Sequence, residues 1–116
     1  MHKILITQEI LGLLMLYDST KSLLRGILQS LEKPASVAWD DQVESGKQCL
    51  YEMHQMARPE YKGYRTDGPN GKPSGPVPVS TKVTRAIPHV KVMVSAIRRK
   101  DHATALQSGK AALAEM

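Results

Sequence analysis

Three observations on this 116-residue sequence predict an all-α domain, a small bundle of four to five helices with one long Gly/Pro-rich loop. Apolar residues return every three or four positions along four separate segments, the periodicity of helices with one buried face. Residues 58–79 hold four Gly and five Pro, so neither a helix nor a central strand can persist there. The one stretch that alternates as a strand would, Val90-Lys91-Val92-Met93-Val94, finds no convincing partner strand elsewhere. The length suits a single domain over residues 1–116 with one core.

The first element runs from Thr7 to Lys33, where Ile10, Leu13, Leu14, Tyr17, Leu24, Ile27, Leu28 and Leu31 return to one side. Thr7 is expected to cap it by accepting a hydrogen bond from the free N–H groups of the first turn. Gln8 and Glu9 suit the positive end, and Pro34 marks the exit. Asp18-Ser19-Thr20 prefer caps to helix interiors and can split the element in two, while Gly12 and Gly26 each weaken it by about 1 kcal/mol relative to Ala.

The second element carries Trp39, Val43, Gly46, Leu50, Met53 and Ala57 at alternating steps of four and three, one buried stripe. Ser36 is expected to cap it, and Asp40, Asp41 and Glu44 complement the helix dipole in its first turns. Gly46 inside the stripe predicts close approach of another helix, because a residue without Cβ lets two backbones come together.

Residues 58–79 then form an exposed loop. Gly68-Pro69-Asn70-Gly71 supplies consecutive turn chemistry, which favours a bent arm over a straight spacer. Loops longer than about 12–15 residues are uncommon inside compact domains and mark functional or disordered segments.

The third element begins near Ser80 and follows Val83, Ile87, Val90, Val94 and Ile97, kinked or restarted at Pro88. Asp101 caps a last helix through Ala105, Leu106, Gly109, Ala112, Leu113 and Met116. Together they make a helical hairpin with Arg98, Arg99 and Lys100 at its corner, packed by antiparallel contacts against the first half. The Asp101–Leu106 stretch has a tetratricopeptide-like cast, but no second copy follows at a fixed period, so that family is set aside.

Composition and motifs exclude more chemistry than they suggest. Phe is absent and six Met are present, so the core is filled by flexible aliphatic side chains. A single cysteine, Cys49, has no internal disulfide partner and favours a reducing compartment, the cytoplasm. Gln8 and Glu9 interrupt the apolar start, which argues against an export signal, and no apolar run approaches the roughly 20 residues of a membrane span. Gly71-Lys72-Pro73 fails as a phosphate loop: Thr66 stands where the first Gly is needed, and Pro73 removes both an N–H and a hydroxyl.

His54 stands five residues from Cys49, off the spacing of a helical metal pair, and His2, His89 and His102 are isolated. No metal and no cofactor are expected. Asp40 and Glu44 are the best-placed carboxylate pair for acid–base work, but a solvated helix start explains them more simply. Cys49 reads as a buried structural thiol without a neighbouring base.

Charge is the feature that survives. Residues 1–57 hold five basic and seven acidic side chains, residues 58–79 four and two, and residues 80–116 seven and two, so the net +5 resides in the last third. On the third helix Lys82, Arg85, His89 and Arg99 fall opposite the apolar stripe, flanked by Lys91 and Arg98. In the loop, Tyr61-Lys62-Gly63-Tyr64-Arg65 interleaves aromatic planes with cations.

The expectation is therefore a non-enzymatic nucleic-acid-binding protein, acting by phosphate neutralisation as a small subunit of a nucleoprotein assembly. Lys62, Arg65 and Lys72 would clamp a DNA or RNA strand, Tyr61 and Tyr64 would stack on bases, and Lys82, Arg85, Arg98, Arg99 and Lys100 would form the rigid surface. The alternative is a protein-interaction module, an adaptor, inhibitor or assembly factor that docks through its loop or apolar surface. No membrane partner is expected, and an apolar stripe on so small a bundle makes a homodimer plausible.

Overall fold

The computed structural model describes residues 2–57 and 79–116, with side chains from residue 12 onward. They form a bundle of four α-helices with no strand among the described residues: α1 (His2–Leu31), α2 (Trp39–Met56), α3 (Val79–Arg98) and α4 (His102–Glu115). A single 3-10 turn, Pro34–Ser36, links α1 to α2. Each helix packs on the next, and α4 closes the bundle against α1. None of the described helices is long and apolar enough to cross a membrane.

The helix α1 is a single unbroken rod, which corrects two expectations. It starts at His2, so Thr7 lies inside it and does not cap it. Nor does Asp18-Ser19-Thr20 divide it. Thr20 is wholly buried, and its one hydroxyl proton has two acceptors within reach, the Leu16 carbonyl one turn back at 2.8 Å and Glu52 Oε1 at 2.7 Å, which satisfies the hydroxyl without opening the helix. Asp18 and Ser19 are exposed and leave the backbone bonds intact. At the far end the His102 ring donates through Nε2 to the Leu31 carbonyl, so the start of α4 caps the end of α1. The Tyr17 hydroxyl donates to the Met116 carbonyl. These two contacts set the antiparallel register of α1 and α4.

Ser36 does not cap α2. The helix begins at Trp39, too far along the chain, and the Ser36 hydroxyl instead donates to the Lys33 carbonyl at 3.3 Å inside the 3-10 turn. Ala38 occupies the cap position without a side-chain bond, leaving Asp40 and Asp41 to complement the positive end. The buried residues of α2 are Gly46, Cys49, Glu52, Met53 and Met56; Trp39, Val43, Leu50 and Ala57 form a half-buried shoulder. A Cβ on Gly46 would sit 2.6 Å from Val94 Cγ2, the close approach of α2 and α3 that a glycine permits. The packing of α4 works in the same way: a Cβ on Gly109 would fall 2.5 Å from Leu28 Cδ2 and 2.9 Å from Met93 Sδ.

The helix α3 is continuous through Pro88, with no restart, and the strand alternative for its second half is not realised. Pro88 is exposed, so the carbonyl it deprives of an N–H lies on the solvent side. The helix begins at Val79, which is fully buried and thus belongs to the core and not to the loop expected over residues 58–79. The rest of that loop, residues 58–78, falls outside the described residues. The core gathers Leu24, Ile27, Leu31, Met53, Met56, Val83, Val90, Met93 and Ile97, all essentially sealed from solvent.

Candidate functional site

The corner between α3 and α4 is built by a chain reversal that needs a left-handed residue. Lys100 takes that conformation with φ 57°, its N–H donates to the Ile97 carbonyl at 3.0 Å, and the Asp101 N–H donates to the Ala96 carbonyl at 2.8 Å. This is the Schellman pattern, here without the usual glycine. Asp101 then caps α4, its Oδ1 accepting from the Thr104 N–H at 3.3 Å. Hydrogen bonding to Thr104 is the main cause that holds the Asp101 carboxyl below its ordinary value of 3.8, with a smaller contribution from Arg99.

One of the three corner cations, although exposed, is engaged at that cap. The Arg99 guanidinium donates from Nη1 to Ser95 Oγ at 2.9 Å and approaches Asp101 Oδ2 at 3.7 Å from Nη2. Arg98 and Lys100 are exposed, as are Arg85 and Lys91, and none of these four meets a carboxylate among the described residues. Lys82 and His89 are half-buried on α3. At about 100° per residue, Arg85 and Arg99 face outward, Lys82 and His89 occupy one shoulder of α3, and Lys91 and Arg98 occupy the other. Lys91 and Arg98 turn toward α2 and, with Leu50, Val94 and Ser95, line a shallow groove of about 220 Å³. The remaining candidate residues, Lys62, Arg65, Lys72, Tyr61 and Tyr64, lie outside the described residues.

Other chemistry-bearing side chains occupy ordinary positions. Asp40 and Glu44 are exposed, and Glu44 pairs with Lys47 at 3.2 Å. Cys49 is fully buried; desolvation, helped by the nearby Glu52 charge, pushes its thiol up to about 12, which leaves it unreactive as a nucleophile. His54 points to solvent. No group of three or more His, Cys, Asp or Glu side chains converges among the described residues.

One buried polar cluster escaped the sequence reading. Glu52 Oε1 accepts from Thr20 Oγ1 at 2.7 Å and Oε2 accepts from Gln48 Nε2 at 2.9 Å, joining α1 to α2. Its signal was the spacing of Cys49, Met53 and Met56, an apolar set that encloses position 52 on the inward side of the helix. Comparisons with protein-family models, with curated proteins and with solved structures find no match to this chain.

Proposed function

We propose that this protein binds DNA or RNA without catalysis, chiefly by neutralising phosphates, as a small subunit of a nucleoprotein assembly in a reducing compartment such as the cytoplasm. The rigid part of the surface is Lys82, Arg85, Arg98 and Lys100, with Arg99 contributing to the local field while it stays engaged with Asp101. Lys62, Arg65 and Lys72 add charge from the sequence between α2 and α3, and Tyr61 and Tyr64 stack on bases.

A single observation supports this reading: residues 80–116 carry seven basic against two acidic side chains, and Arg85, Lys91, Arg98 and Lys100 are exposed with no carboxylate partner among the described residues. Exposed cations without internal partners release counterions from a polyanion at little desolvation cost. Binding measured by gel shift or anisotropy across a salt series tests it. Affinity should fall steeply with salt, and Arg85→Ala or Arg98→Ala should each lower the log–log slope by about 1. Reversing Arg98, Arg99 and Lys100 together to Glu should abolish retention. Failure to retain either single-stranded or duplex nucleic acid at low ionic strength would remove the proposal.

A further inference from the structure

The α2–α3 groove has a chemistry of its own. Its floor is aliphatic, Leu50 from α2 and Val94 from α3, and no aromatic ring lines it. Lys91 stands three residues before Val94 and Arg98 four after, two exposed cations about 10 Å apart along one helix axis with an apolar position between them. The volume of about 220 Å³ is below the roughly 300–1,000 Å³ of small-molecule sites, so the groove takes a side chain and not a free cofactor. A base would find no π-face to stack on, and a duplex would leave the apolar floor unused.

We infer that this groove docks an acidic amphipathic helix of another protein, one that presents carboxylate, aliphatic side chain and carboxylate at steps of three and four. Two α-helices share the same rise per residue. A helix lying along α3 therefore seats its aliphatic side chain on Leu50 and Val94 while both carboxylates meet Lys91 and Arg98 in a single register. A second copy of the chain does not fit, because no described helix carries two carboxylates seven residues apart. The groove shares Lys91 and Arg98 with the phosphate-binding reading but not its aliphatic floor or its spacing requirement, so either reading can fail alone.

The probe is a capped 16-residue Glu/Leu/Ala peptide with that spacing, compared with a scrambled peptide of the same composition, by fluorescence anisotropy on the full chain at low salt. The patterned peptide should bind at least about tenfold more tightly than the scrambled one. Lys91→Glu and Arg98→Glu should each weaken it about tenfold or more, and a peptide with Lys in place of Glu should recover binding to the doubly reversed variant. Both positions are exposed, so far-ultraviolet circular dichroism should confirm that the variants fold. Equal binding of the two peptides, or failure of the swapped peptide to recover the reversed variant, overturns the inference. So does an oligonucleotide that shifts the Leu50 and Val94 methyl resonances while the patterned peptide does not. Nucleic-acid retention of the same samples, scored separately, reports only on the phosphate reading.

Discussion

Thr20 Oγ1 lies 2.7 Å from Glu52 Oε1 and 2.8 Å from the Leu16 carbonyl, so the single proton of one buried hydroxyl is shared between a carboxylate on α2 and the carbonyl one turn back on α1. Thr20→Val keeps the shape of the side chain and removes the donor, leaving the buried carboxylate with Gln48 alone. The expected cost is about 1–3 kcal/mol, the desolvation penalty of an unmet buried polar group. Adding Glu52→Leu to Thr20→Val should recover part of that loss, since replacing both partners with apolar groups removes the unmet charge. Urea unfolding of the two single variants and the double variant measures the coupling, and strictly additive effects would show that the contact carries no energy of its own.

Two glycines should respond to Ala with opposite signs. At Gly46 a Cβ would meet the Val94 Cγ2 methyl at 2.6 Å, and a short branched side chain cannot swing aside, so Gly46→Ala should cost about 1–3 kcal/mol by overpacking. Val94→Ala in the same chain should relieve the clash. At Gly26 nothing lies within 4 Å and the position is exposed; Gly26→Ala should raise stability by about 1 kcal/mol through helix propensity alone. Thermal melts of the three variants give the signs directly.

These residues also show what could be read from the sequence. Gly46 was identifiable because a residue without a side chain sat in an apolar stripe, a signal local to one helix. The stripe itself was placed slightly to one side. Trp39, Val43, Leu50 and Ala57 are only half-buried, whereas Cys49, Glu52 and Met56 are buried, because α2 is gripped by α1 on one side and α3 on the other. Thr20 misled for a related reason: its preference for caps is a property of an isolated helix, and the burial that reverses it comes from packing against α2. Pro88 was read as a kink or a restart, and no restart occurs: an exposed ring is carried by a helix anchored through buried residues on both sides of it. At the candidate site the concentration of charge was plain in the sequence, but the approach of Arg99 to Asp101 depends on the fold of the corner, which residue spacing does not encode.

Lys100 occupies a conformation that L-residues adopt at a cost of about 1–2 kcal/mol and glycine adopts freely. Lys100→Gly should therefore raise stability by about 1 kcal/mol while lowering the salt slope of nucleic-acid binding by about 1, a separation of the two properties in one substitution. Lys100→Ala serves as the control. It removes the same charge without relieving the backbone, so its melting temperature should not rise. Equal melting temperatures for the Gly and Ala variants would show that the left-handed turn costs nothing.

The Asp101 cap predicts a specific acid dependence. Its carboxyl is held below the ordinary value of 3.8, first by the hydrogen bonds from Thr104 and less by Arg99, so the folded chain binds this proton more weakly than the unfolded chain does. The stability that follows is fully present above the unfolded value and is lost as the pH falls through the lower folded one. Asp101→Asn keeps a side-chain oxygen that caps the helix and removes only the charge. The wild type should exceed that variant in urea midpoint near neutral pH, and the gap should close once the pH has dropped well below 3.8. A gap that stays constant over the acid range would mean that the cap acts through geometry alone, and that the ionised carboxylate adds nothing to the start of α4.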